Sequence, residues 1–79
     1  MQNLLNKFIT GYYTTYATEK TIMKVVRTTK SYLIAKQCDT YGNLLEKDRE
    51  FKFKRSPYHV AEVFCGVGAD NFLGGFEVK

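Results

Sequence analysis

The chain has 79 residues, 44% of them hydrophobic, and a net charge of +4 from twelve Lys and Arg against eight Asp and Glu. That size implies one small domain, close to the limit at which a single core holds, and leaves little room for a large buried active-site cavity. Six Phe and six Tyr exclude a disordered chain, and no apolar run approaches the ~20 residues that cross a bilayer, so no membrane partner is expected.

Residues 1–8 lack the basic start and long apolar stretch of a signal peptide, which makes the cytoplasm the expected compartment. Asn3 is placed to cap a short helix with Leu4, Leu5 and Phe8 on one side and Gly11 closing it, although so short a helix is marginal. Residues 8–16 turn aromatic and Thr-rich, which suits a strand carrying Tyr12, Thr14 and Tyr16 on one face and Tyr13 on the other. A polar turn follows at 17–20.

Residues 21–38 are rich in Ile, Val, Thr and Tyr, with no Gly or Pro, and form the strongest β signal in the chain. The run is too long for one strand and is expected to break at Thr29-Lys30-Ser31 into a tight hairpin. Residues 39–48 read as a loop, opened by Asp39 and carrying the turn signal Gly42-Asn43. Glu50-Phe51-Lys52-Phe53-Lys54 alternates strictly, so both phenylalanines face the core and both lysines face water.

Ser56-Pro57 satisfies a helix-start rule, and Gly66 could end a run in which Val60, Ala61 and Phe64 share a side. The competing reading is a strand, because Tyr58, Val60, Val63 and Phe64 are good β formers; the more specific cap chemistry favours a short helix over 57–65. A last strand is expected within 72–78, after a loop at 66–71. The fold class is therefore mainly β with one or two short helices: a small curved antiparallel sheet, or SH3-like barrel, of four or five strands.

Val25-Val26-Arg27-Thr28-Thr29-Lys30-Ser31-Tyr32-Leu33-Ile34, followed by Arg49-Glu50-Phe51-Lys52-Phe53-Lys54-Arg55, resembles a pattern in small bacteriophage β-barrel proteins. The resemblance spans about half the chain and does not extend to residues 65–79. It implies a phage origin and a small barrel, and implies no particular activity.

The net charge conceals two regions of opposite sign. Residues 20–38 and 51–61 hold Lys20, Lys24, Arg27, Lys30, Lys36, Lys52, Lys54 and Arg55 with no acid, while the remainder holds every acid. Clustered cations focus potential on an anionic partner. Lys24, Arg27, Lys30, Lys52, Lys54 and Arg55 are the candidate anion-binding or partner-binding residues, with Tyr32 and Tyr58 interleaved as candidate base-stacking aromatics. The plain alternative is a solvated surface. Lys24 and Arg27 are three residues apart and fall on opposite faces of a straight strand, so only a bulge or a strand end lets both join one patch. Tyr12, Tyr13 and Tyr16 are candidate contacts for a protein partner, since tyrosine offers large contact area at low entropic cost.

Other chemistry is poorly supported. Cys38, Cys65 and His59 lack zinc-ligand spacing, so no metal is expected, and the two cysteines read as packed, reduced thiols. His59 would lie six residues from Cys65 on a helix and could not serve it as a base. Gly66-Val67-Gly68 lacks the rest of a phosphate loop, and Glu46, Asp48 and Glu50 alternate with Lys47 and Arg49 as a solvated mixed-charge loop. No catalytic residue and no cofactor is expected.

The leading expectation is a non-enzymatic phage accessory protein that binds and inhibits a host protein of nucleic-acid or antiviral-defence machinery by occlusion. The segregated acids would then act as a modest nucleic-acid mimic. The alternatives are a small basic barrel binding nucleic acid directly through phosphates, and an oligomeric sponge for a nucleotide signal. Self-association to gain core area suits a domain of this size.

Overall fold

The structure, a computed structural model, describes residues 2–14, 16–56, 62–70 and 75–79. Among them lie six strands: β1 (Phe8–Gly11), β2 (Thr21–Thr28), β3 (Leu33–Cys38), β4 (Phe51–Arg55), β5 (Val63–Gly66) and β6 (Phe76–Val78). Single 3₁₀ turns occupy Gln2–Leu4 and Gly68–Asp70. Each strand pairs antiparallel with the next, and β6 returns to β1, so the sheet closes as a barrel in sequence order. Closure removes both sheet edges. The expected mainly β barrel is present, but with six strands rather than four or five.

The added strand is β5, where cap chemistry had favoured a helix. Val63 and Phe64 pair with Glu77 and Phe76, and the Ser56 amide donates to the Val63 carbonyl at 2.7 Å. These bonds extend the β4–β5 ladder to Ser56 and hold 63–65 extended, so tertiary pairing overrides the local Ser-Pro signal there. The rest of that expected helix, residues 57–61 with Tyr58 and His59, lies outside the described residues, as do 71–74 at the start of the expected last strand.

The core is the inward face of every strand. Ile9, Met23, Val25, Leu33, Ala35, Phe51, Phe53, Phe64 and Phe76 form one buried cluster, capped by Leu4. Phe53 and Phe76 are fully buried with ring centroids 5.0 Å apart and planes at 55°. β4 alternates as expected, with both phenylalanines buried and Lys52 and Lys54 exposed. Gly11 permits the β1–β6 closure, because a Cβ there would lie 2.5 Å from the Gly75 carbonyl oxygen and 2.9 Å from the Phe76 ring.

Two further expectations are corrected. The opening helix is a single 3₁₀ turn in which Leu4 is buried but Leu5 is exposed, while Phe8 and Gly11 belong to β1. The tyrosine-rich strand stops at Gly11, so Tyr12, Tyr13 and Tyr16 lie in the β1–β2 connection. The expected last strand is present as Phe76–Val78, within 72–78. The hairpin between β2 and β3 forms where expected. Its loop is tied by the Thr29 hydroxyl, which accepts from the Tyr32 amide at 2.9 Å, and by the Thr29 amide donating to the Tyr32 carbonyl at 2.9 Å.

Candidate functional site: a lysine face on the barrel wall

The outward faces of β2, β3 and β4 carry most of the candidate cations. Lys24 projects opposite Met23 and Val25, Lys36 opposite Ala35, and Lys52 and Lys54 opposite Phe51 and Phe53. Strand pairing brings them together. Lys24 stands directly across from Lys36, and Lys52 across from Ile34 on the same wall.

A β-bulge lets this wall include Arg27. The β2–β3 register shifts between Val25 and Arg27, with Val25 opposite Ala35 and Arg27 opposite Ile34, so Val26 is the inserted residue. The extra residue changes the parity of the strand, and Arg27 faces outward although three positions separate it from Lys24. Ile34 lies between Arg27 and Lys52 in register and is buried on this otherwise open face. Such burial is what the aliphatic stems of flanking long side chains provide.

The cations differ in how they are engaged. Arg27 donates to Glu50 at 2.8 Å and Arg55 is bridged to Glu62, each across exposed side chains, so both guanidinium charges are locally compensated. The Lys52 ammonium sits 4.4 Å from the Tyr32 ring centroid, a cation–π contact that occupies one side of the ring. Tyr32 is therefore a partner of Lys52 more than an open stacking platform. Lys30 is exposed in the 29–32 hairpin loop at the end of the barrel, away from the wall. Arg55 shares the inward parity of Phe51 and Phe53 at the end of β4 and also leaves the wall. Of the six expected cations, Lys24, Arg27, Lys52 and Lys54 share one face.

Lys36 completes that face and was not among the expected site residues. Its signal is the register: once the hairpin breaks at 29–32, Lys36 falls opposite Lys24. The pairing is electrostatically unfavourable, since like charges directly opposed on an antiparallel pair are destabilising. Both side chains are half-buried, which weakens solvent screening.

Cys38 closes the same side of β3, with its thiol donating to the Ile22 carbonyl at 3.6 Å. Burial, then the neighbouring Asp39, pushes this thiol above its ordinary range, while the positive charges of Lys79 and Lys24 act in the opposite direction. Both cysteines are free thiols, Cys38 buried and Cys65 half-exposed beside Lys54 in register.

The three tyrosines do not form one surface. Tyr13 turns inward and packs edge-on against Phe51, with centroids 5.8 Å apart and planes at 86°. Tyr12 is partly exposed with the Lys20 ammonium 6.0 Å from its ring, and Tyr16 is 92% exposed. Tyr41, in the β3–β4 connection, is 89% exposed. An antiparallel meander brings the β1–β2 and β3–β4 connections to the same end of the barrel.

Among the described residues, no group of three or more His, Cys, Asp or Glu is arranged to hold a metal ion, and no helix is long and apolar enough to cross a membrane. Comparison with known protein families, curated proteins and solved structures finds no match to this chain.

Proposed function

We propose that the protein is a non-enzymatic binding module, a small barrel of the SH3-like kind, whose Lys24–Lys36–Lys52–Lys54 wall binds nucleic acid through the phosphate backbone. The observation that carries this reading is the direct opposition of Lys24 and Lys36 beside Lys52 and Lys54. A barrel wall needs no such grouping for folding, and the opposed pair reduces stability. An anionic polymer lying over the wall relieves the repulsion and releases its condensed counterions. Point-charge ammonium groups suit contacts that follow a backbone without reading sequence.

Binding is measured by fluorescence anisotropy with labelled single-stranded and duplex oligonucleotides over a salt series. Four phosphate contacts predict a log–log salt slope of about −2.8 on a single strand, falling by about 0.7 for each lysine neutralised. Lys52→Glu combined with Lys54→Glu should abolish the interaction at moderate salt. Absence of any binding by the unaltered protein at low ionic strength eliminates the reading.

A second reading, occlusion of a host protein by a phage accessory factor in the infected cytoplasm, draws on the exposure of Tyr12 and Tyr16. It is weakened by the inward turn of Tyr13 and by the use of Glu50 and Glu62 in ion pairs, which leaves less acid for mimicry. Affinity capture from a bacterial lysate with and without nuclease separates the two readings. A stoichiometric protein retained after nuclease treatment favours occlusion, and loss of every partner favours nucleic acid.

A further inference from the structure

The lysine wall accounts for phosphate contacts but leaves open whether the bound strand is paired or single. The barrel end beside it carries a feature that bears on this. An open groove runs between the β1–β2 connection and the end of β3, lined by residues 17–22 and 37–40. Tyr16 adjoins one lining segment and Tyr41 the other, and they are the two most exposed large hydrophobic side chains among the described residues. Each has its backbone tied down: the Tyr16 amide donates to the Thr14 hydroxyl at 3.3 Å, and the Tyr41 amide to the Asp39 carboxylate at 2.9 Å.

The groove is continuous with the cationic wall. Lys20 lies in its lining, and so do Ile22 and Cys38, which pair with each other two residues along β2 and β3 from the Lys24–Lys36 pair and so share its side of the sheet. Its acids are Glu19 and Asp39; the Asp39 carboxylate is already occupied by the amides of Tyr41 and Asn43 and by the Asn43 side chain.

We infer that Tyr16 and Tyr41 stack unpaired bases at this groove while the phosphates of the same strand run over Lys24, Lys36, Lys52 and Lys54, so that the ligand is single-stranded nucleic acid. This rests on the proposed phosphate-binding role of the wall. A duplex keeps its bases stacked on one another and has none to offer the tyrosines, whereas a single strand presents a π-face at every base. Charge complementarity alone would not distinguish the two. Two exposed aromatic residues, each one position beyond the lining of a groove that borders the cations, supply the difference.

The test uses the full chain and three probes in anisotropy or competition assays: a labelled oligothymidylate, a DNA duplex and inorganic polyphosphate, which is a polyanion without bases. Tyr16→Ala and Tyr41→Ala are each expected to weaken oligothymidylate binding by about 5- to 150-fold, the range set by the loss of one base–aromatic stack. Tyr16→Phe and Tyr41→Phe should retain it, and polyphosphate competition should be unchanged in all four variants. Circular dichroism checks that the exposed substitutions leave the barrel folded. If the alanine variants bind oligothymidylate like the unaltered protein, or if the duplex binds as tightly as the single strand, the stacking inference falls while the phosphate-binding reading stands. If none of the three probes binds, both fall together.

Discussion

Reversing the charge at Lys24 should make the barrel more stable and its binding weaker, a combination that a purely structural role for the lysines does not produce. Lys24 and Lys36 are directly opposed across β2 and β3, and both are half-buried. A like-charged cross-strand pair is unfavourable and an oppositely charged one favourable, each by ~0.2–1 kcal/mol, so Lys24→Glu moves the pair from one side of neutral to the other. A net stabilisation of ~0.5–1 kcal/mol raises the melting temperature by roughly 2–8 °C in a domain of this size. Lys24→Gln, which removes repulsion without adding attraction, should give about half the effect. Thermal melts followed by far-ultraviolet circular dichroism at low salt read this directly, and the gain should shrink at ~1 M salt, where the Debye length falls to ~3 Å. A lower melting temperature for Lys24→Glu, or a gain indifferent to salt, refutes the electrostatic account of the wall.

Gly11→Ala forces a Cβ against the Gly75 carbonyl and the Phe76 ring and should destabilise the barrel by ~1–3 kcal/mol through the β1–β6 closure, read as a shift in denaturant midpoint; an unchanged midpoint contradicts the close approach. The Asp39 carboxyl is held below its usual range by the Asn43 amide first and the Tyr41 amide next. Its folded pKa is depressed, so the stability it contributes is fully present above pH ~4 and is lost as the pH falls through the lower folded value. Amide exchange at Tyr41 and Asn43 should accelerate over that acid interval in the unaltered protein and already be fast near neutrality in Asp39→Ala; equal protection in both discounts the turn. Native alkylation with iodoacetamide should modify half-exposed Cys65 well before Cys38, whose thiol is buried and shifted away from thiolate. Equal rates would contradict that burial.

The legibility of this fold in its sequence follows how local each determinant is. β4 is readable because Phe51 and Phe53 alternate with Lys52 and Lys54 at the period of a strand. The 29–32 hairpin and the Asp39 turn are readable because their chemistry lies within a few residues, in the Thr29 hydroxyl and the Asp39 carboxylate. β5 was missed because Ser56-Pro57 is a local signal, whereas Val63–Gly66 becomes a strand through pairing with both β4 and β6, which no signal within the segment itself reports. Tyr13 shows the same limit. Strand parity assigns it a face, but the chain leaves β1 at Gly11 and the ring is drawn onto Phe51, thirty-eight positions on. For the site, the need for a bulge between Lys24 and Arg27 is visible in their spacing; its position at Val26, and hence the membership of the wall, emerges from the closed register.

On this reading Lys24, Lys36, Lys52 and Lys54 act as a single surface. A two-dimensional ¹H–¹⁵N correlation titration with an oligonucleotide tests it most directly. The amides of these four residues and their immediate strand neighbours should shift together along one saturation curve, with β5 and β6 largely still. Shifts clustered on β5 and β6, or nowhere at all, would contradict it.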